Sequence, residues 1–382
     1  MSRGAPFGIA ACGMVCSLGY DVEMACAAAR AGLLRAAPVQ GFATRSAAHG
    51  GVEPIAGHAA ALMTDGFEGD ARLVRLLQGA IADLRPRIAL DGRARVACYL
   101  AMPSSSRCAS GAELAVRDDV RAELEHAAQE AGGAEADLPG RAARLFDVAW
   151  AAADAGRPPM LAFVTDAGHA SGALALERAL HDLADARVDI ALVGGVDSWL
   201  DAETLQWLTN IGRLKCDAHP SGFMPGEAAA FVALCRRADA GASAVPIGSV
   251  RIDEEPRSLL SGLPSFGEGL GRVLGPALDA SEPASASDRA WIVSDLNGET
   301  YRANEWGHAL VRVRPGRDAV DAPRLWMPAA SFGDVGAATV PVALCVVSRA
   351  VLRGYAPAAR AIVLSASDGP LRAAIAVDAG PR

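Results

Sequence analysis

Residues 163 to 198 restrict the possible folds more than any other part of the chain. "FVTDAGHASGALALERALHD" runs from an apolar strand through a bend of small residues into a helix. The following "VDIALVGGVDSW" is a near-continuous apolar run ended by Gly194-Gly195, the pattern of a central strand covered on both faces. The layout returns later: "GDVGAATVPVALCVV" leads to "AIVLSASDG" as "GHASGALALERAL" leads to "VDIALVGGVDS". A bend, a helix with a small-residue face and a buried strand, occurring twice, predict a duplicated α/β architecture.

The rest of the chain fits this alternation. "FGIAACGMVCSLGYDVEMACAAARAGL" reads as strand, glycine-marked turn and helix, with Asp21 as N-cap; "DARLVRLLQGAIADL" as an amphipathic helix; "RVACYLAMPSS" as a buried strand. Residues 109–160 read as helical insertions over the core, 236–246 as a hinge, and 281–289 as a Ser/Ala-rich connector. The division is therefore a first half, 1–240, carrying the insertion, and a second half, 241–382. With 51% apolar, 21% charged and 5% aromatic residues, packing falls to small aliphatic side chains.

Composition also excludes partners. The net charge of −8 and the lack of a Lys/Arg run argue against nucleic acid. The apolar run Val335–Val347 is shorter than the roughly 20 residues that span a bilayer, and it contains Pro341, so no membrane segment is expected. "PFGIAAC" is too short and broken for an export segment and reads as a first strand. Eight scattered cysteines (12, 16, 26, 98, 108, 216, 235 and 345) fit buried thiols of a cytoplasmic protein. Cys12 and Cys16 have no second ligand pair at metal-site spacing, so no metal is expected, and Gly267-Glu268-Gly269 lacks the third glycine of a dinucleotide fingerprint, so no nucleotide cofactor is either. The alanine- and arginine-rich vocabulary suits a GC-rich bacterial genome.

"GIAACGMVCSLGYDV", "VDIALVGGVDSWL" and above all "CDAHPSGFMPGEAAAFVAL" resemble segments of the β-ketoacyl synthases of the thiolase superfamily. Gly222, Phe223, Pro225, Gly226 and Glu227 carry the most specific part of the match. "GEGLGRVLGPAL", "SDLNGETYRANEWGHAL", "SFGDVGAA" and "AIVLSASDG" follow in the order of that family's later motifs. The resemblance implies a thiolase-like five-layered αβαβα fold from two related halves, usually dimeric.

The resemblance fails at the chemistry. Where the family carries its nucleophilic cysteine, Gly168-His169-Ala170-Ser171-Gly172 places His169. Asn297 stands for the first catalytic histidine, Asp334 for the second, Ala329 for the lysine, and Asp368 lies near the gating aromatic. A cysteine at a helix N-terminus is activated as thiolate, whereas imidazole does not keep an acyl group. The helix dipole predicts a neutral His169, and an ionised Asp334 would repel a developing enolate. Decarboxylative condensation is therefore disfavoured.

Two functional classes follow. One is a catalytically inactive homologue acting as scaffold, adaptor or partner subunit, as chain length factors act beside an active ketosynthase, or as an accessory to a gene cluster such as a type VI secretion locus. In that reading His169 and Asp334 satisfy each other in a closed former pocket. The other is an acyltransferase or hydrolase acting on an acyl thioester or acyl carrier protein, with a rearranged His169/Asp334 site and Ser171 or Thr165 as hydroxyl nucleophile. Ser171, Phe223, Thr300, Phe332 and Asp368 are candidates for the former substrate pocket. Homodimer or heterodimer formation is expected in either case. His219 reads as a solvent-facing loop residue, Asp217 and Glu227 as loop-holding carboxylates, Glu305 as one arm of a salt bridge, and His49, His58, His126, His181 and His308 as histidines without a partner pattern.

Overall fold

The computed structural model describes residues 5–46, 50–88, 94–104, 107, 137–240, 244–279, 291–315 and 323–379. Most of the expected insertion, the middle of the hinge, the connector, Cys108, His49 and His126 lie outside the described residues.

The strands are β1 (Phe7–Cys16), β2 (Ala37–Arg45), β3 (Val52–Gly57), β4 (Val96–Ala101), β5 (Met160–Thr165), β6 (Ile190–Ser198), β7 (Glu227–Arg236), β8 (Val245–Glu254), β9 (Trp291–Ser294), β10 (Arg324–Trp326), β11 (Arg360–Ala366) and β12 (Leu371–Asp378). The longer helices are α1 (Val22–Arg30), α2 (Gly69–Leu84), α3 (Leu138–Ala152), α4 (Ser171–Ala184), α5 (Ala202–Asn210), α6 (Glu268–Asp279), α7 (Thr300–Val313) and α8 (Thr339–Leu352). Asp21 caps α1 as expected, accepting from the Met24 amide at 2.7 Å.

Ten strands form one sheet in the order β10-β9-β11-β12-β8-β1-β7-β6-β4-β5, and β2 and β3 pair separately. Read outward from the β1/β8 junction, β1-β7-β6-β4-β5 and β8-β12-β11-β9-β10 follow the same plan. In each, the last strand in sequence lies next to the first and antiparallel to both neighbours, and the remaining pairs are parallel. The arrays join through a short antiparallel pairing of Phe7–Ile9 with Val245–Ile247. The repeated sequence layout is thus a repeated topology.

Helices α4 and α8, fourteen residues each, lie between the two arrays and touch both as well as each other. Outside them, α2 and α3 cover the first array through Leu76, Leu77, Phe146 and Trp150, and α6 and α7 cover the second through Val273, Leu274, Ala309 and Val313. This gives the α-β-α-β-α layering. Residues 138–152, read from sequence as insertion, are therefore part of the outer layer, because the apolar stripe of α3 is buried on the sheet.

The central layer is built from small side chains: Ala170, Ala173, Ala175, Ala179, Val340, Val342 and Ala343 are all buried in one cluster with the inner faces of both arrays. β6 runs on through Gly194-Gly195 to Ser198 instead of ending at the glycines, because the two missing side chains make room for the Phe231 ring and for the Ala337 carbonyl. Both central helices are entered through a 3-10 turn, Gly168–Ala170 before α4 and Gly336–Ala338 before α8. Gly168 takes φ +79°, a conformation that disfavours a side chain, so a sharp bend can aim His169 inward.

At Gly172 an added Cβ would lie 2.7 Å from both Val340 Cβ and Pro341 Cδ, neither able to swing aside. Gly172→Val is expected to lower the free energy of unfolding by about 1–3 kcal/mol through overpacking. Gly307→Ala, on α7 with nothing within 4 Å of the new methyl, is expected to raise it by about 0.4–1 kcal/mol. Denaturant midpoints of the two variants, moving in opposite directions, check this packing.

Candidate functional site at the entrance of the first central helix

Asp334 follows Gly333, whose φ of +74° turns the chain after a short helix, Ala329–Phe332. The "GFMPGE" segment holds this turn by backbone pairing: the Asp334 amide donates to the Met224 carbonyl at 2.9 Å, and the Gly226 amide donates to the Asp334 carbonyl at 2.8 Å. An added Cβ at Gly226 would meet the Phe332 carbonyl oxygen at 2.4 Å, so the closeness of these two segments depends on glycine. The most family-like stretch of the sequence is thus what positions Asp334.

The Asp334 carboxylate receives four donors. Oδ1 accepts from His169 Nε2 at 2.8 Å, Trp199 Nε1 at 3.0 Å and the Gly336 amide at 2.9 Å; Oδ2 accepts from Asn297 Nδ2 at 2.7 Å and lies 3.0 Å from His169 Nε2. That occupies the roughly four lone-pair sites a carboxylate offers. Burial alone would raise its pKa, but His169, Arg302 and Asn297 outweigh burial and hold it well below the usual carboxylate range.

His169 is buried, with the Trp199 ring stacked 6.1 Å away. Arg302 Nη2 lies 3.2 Å from Nδ1 and 3.4 Å from Nε2. A guanidinium this close to the ring opposes a positive charge on it. Burial and Arg302 both push the His169 pKa down, but Asp334 pushes it up more strongly, and the net direction is upward. The shift therefore runs opposite to the one the helix dipole alone would give, because a carboxylate at hydrogen-bond distance outweighs the partial charge of a helix end.

Around this pair lies a wider charge network. Arg302 pairs with Asp295 at 3.2 Å, Asp368 at 3.0 Å and Glu299 at 3.5 Å, and Arg213 pairs with Glu299 and Asp368, each at 2.7 Å. Asn297 also donates to Glu299 at 3.0 Å. Four carboxylates (Asp295, Glu299, Asp334 and Asp368) face two guanidiniums, so a proton on His169 reduces a charge deficit that burial would otherwise penalise.

Asp368 is held by both arginines in a loop that makes further bonds. Ser367 Oγ accepts from the Ala170 amide at 3.0 Å and donates to the Ala167 carbonyl. The buried Arg372 donates to the carbonyls of Ser367, Gly369 and Leu371 at 2.7–2.9 Å and pairs with Glu305. Beside His169 and Asp334 there remains a cavity of about 20 Å³, lined by Ser294, Asp295 and largely apolar residues including Pro328, Ala329, Val342 and Leu364. Such a space holds a water molecule but not an acyl chain.

His169, Asn297, Asp334 and Asp368 are thus brought together, and Phe223 joins them indirectly, its ring edge against Trp199 and under Arg213. Thr300 does not join: it is exposed at the start of α7. Phe332 packs into the central core. Ser171 is fully buried, and its Oγ has no hydrogen-bond partner among the described residues, so it is not aligned with His169 as a serine nucleophile must be. Thr165 ends β5, its carbonyl accepting from the Met102 amide.

Glu227 is fully buried against Ala60, Thr64, Arg72 and Ser198, His219 is exposed in its loop, and Asp217 binds Ser46. Trp199, Arg213, Arg302 and Asp295 were not anticipated as site residues. A signal for Arg302 was present: Arg302, Glu305, Ala309 and Val313 are the buried stripe of α7, so two charged residues sit at helical spacing on an inward face.

The coupled pair sets a pH dependence. Asp334, with its pKa lowered, contributes stability above the ordinary carboxylate pKa, about 4, and loses it as pH falls through the folded value; His169, with its pKa raised, contributes below about 6.5 and loses it as pH rises through the folded value. The pair therefore stabilises most between about pH 4 and 6.5. Asp334→Asn, which takes the carboxylate from His169 and leaves the Trp199, Asn297 and Gly336 donors facing a neutral amide, is expected to cost about 3–5 kcal/mol. Urea unfolding from pH 4 to 9 should show the difference between wild type and variant shrinking above the folded pKa of His169; a difference independent of pH would contradict the assignment.

The comparisons with known proteins bear on the fold. Residues 160–240 match the model of the β-ketoacyl synthase N-terminal domain. No curated protein sequence matches the chain. The oxazolomycin ketosynthase domain of Streptomyces albus JA3453 superposes with a TM-score of 0.67 at 15% identity, covering 99% of this chain and 75% of the other. A type II PKS acyl-carrier protein in complex with its ketosynthase bound to the hexaketide gives 0.66 at 14%, covering 99% and 100%. A ketosynthase in complex with its chain length factor from Xenorhabdus doucetiae gives 0.65 at 16%, covering 98% of each chain. Residues 160–240 are thus similar to the N-terminal domain of β-ketoacyl synthases, and the chain as a whole has the thiolase-like fold of the ketosynthases.

Proposed function

We propose that the protein is a catalytically silent ketosynthase-like subunit that serves as scaffold or partner, in the manner of a chain length factor. The observation that carries the proposal is the closed centre. The position corresponding to the acyl-accepting cysteine holds His169, its ring nitrogen is taken by Asp334, and the adjoining space is about 20 Å³. A ketosynthase needs a free nucleophile, a chain-sized cavity and donors aimed at a developing oxyanion. Here the carboxylate is saturated and the loop 367–371 is clamped by Arg372.

The acyltransferase or hydrolase alternative loses its support at Ser171, whose Oγ makes no bond to His169. We divide the chain into two related halves, 1–240 and 241–382, and place it in the cytoplasm; among the described residues no helix is long and apolar enough to cross a membrane.

For the partner we favour a second ketosynthase-like chain, as homodimer or as heterodimer with an active ketosynthase, over a component of a type VI secretion locus. The structural neighbours include a ketosynthase in complex with its chain length factor and one in complex with acyl-carrier protein. In addition, β5 ends the sheet, with apolar residues from Met160 to Val164 and no strand on its outer side among the described residues. Pro158 and Pro159 precede the strand, but neither a proline nor a charge interrupts it. An edge of this kind is suited to pairing with another chain.

Incubation with acyl- and malonyl-thioesters of an acyl carrier protein, followed by intact-mass measurement, should show no adduct and no carbon dioxide release. His169→Cys should also stay unacylated, because the cavity is too small for the chain. An adduct on the wild type would overturn the silent-subunit reading. Sedimentation of the protein, alone and co-expressed with a type II ketosynthase, should show a dimer in one of the two conditions, and a monomer in both would overturn the partner reading.

A further inference from the structure

At the end of α8 remote from His169, fourteen residues or about 20 Å along the helix axis, the surface forms a groove of about 590 Å³. It is lined by Arg30, Arg349, Arg353, Glu23, Tyr355 and the small residues Cys26, Ala27 and Ala31. The arginines come from separate places: Arg30 from the last turn of α1, Arg349 from the last turn of α8, and Arg353 from the turn beyond it. Arg349 and Arg353 both reach for Glu23, at 3.2 and 3.6 Å, and Arg87, from the 3-10 turn after α2, approaches the same carboxylate at 3.2 Å. Arg30 lies 4.1 Å above the Tyr355 ring and has no carboxylate partner among the described residues.

Glu23 thus serves Arg349 and Arg353 and shares Arg87 with Asp83, which pairs with it at 2.7 Å, while Arg30 stands beside them. Along the groove wall three positive charges face one negative charge, in a protein whose formal charge is −8 overall. Clustered cations in a concave surface focus the field and attract counter-charge. Guanidiniums in particular pair with planar or tetrahedral oxyanions through parallel N–H donors. Arg349 is largely buried and fixed, whereas Arg353 is more than half exposed and ends 3.6 Å from its shared partner, so donors remain to be used. The pull of Arg349 and Arg87 also keeps Glu23 ionised, its pKa below the usual range.

We propose that this groove is a binding site for a multivalent oxyanion of the phosphate class, free or as a phosphate ester, with Arg30, Arg349 and Arg353 as its donors and Glu23 as the internal anion it competes with. The proposal is independent of the silent-subunit reading, since it uses none of the residues around His169.

Calorimetric titration of the full-length protein with inorganic pyrophosphate, inorganic phosphate and citrate, at ionic strength balanced with sodium chloride, tests it. The expected result is saturable 1:1 binding of pyrophosphate, weaker binding of phosphate, and citrate no tighter than pyrophosphate. Arg353→Ser and Arg30→Ser should each weaken pyrophosphate at least ten-fold. Glu23→Gln should tighten it several-fold, a gain that partial unfolding would not produce. Heats that do not saturate, arginine variants that bind like the wild type, a Glu23→Gln variant that binds no tighter, or a preference for citrate would each overturn the proposal.

Discussion

The centre of the molecule depends on one buried carboxylate. Asp334 lies between the two sheet arrays with no access to solvent, where an ionised group is tolerated only if its oxygens are fully bonded. Its donors come from four places far apart in the chain: His169 at the entrance of α4, Trp199 after β6, Asn297 after β9, and the Gly336 amide at the entrance of α8. Meeting that requirement ties the first half of the chain to the second at the point where the two central helices begin.

The same requirement organises its surroundings, where a buried charged network lies around the His169/Asp334 pair. Each added group is compensated by the next: His169 by Asp334, Arg302 by Asp295 and Asp368, Arg213 by Glu299 and Asp368. Moving any one of them would expose or unpair several others at once. The loop carrying Asp368 is held by Arg372, which donates to three of its backbone carbonyls.

Much of the architecture was legible in the residues. The strand-bend-helix pattern around Gly168 and its echo around Gly336 predicted the two central helices, because burial on both faces forces continuous apolar runs and close helix contact forces small residues. The limits of β6 and the role of 138–152 were misread for one reason: Gly194-Gly195 and the alanine-rich α3 look like breaks when taken locally, and only the neighbours Phe231, Ala337 and the outer face of the sheet show them as packing solutions. Arg302 and Trp199 were missed because neither occupies a position that the family's motifs mark as reactive.

The sequence by itself determined the duplicated α/β plan and the histidine at the bend before the first central helix, since apolar runs, bends and residue identity are local properties of the chain. Tertiary structure decided the direction in which the His169 pKa moves, the unpaired Ser171 hydroxyl and the size of the space beside His169. These depend on which groups converge: residues 169, 199, 297, 302, 334 and 368 meet only after both halves have folded, and a pKa or a cavity follows from that meeting rather than from any one residue.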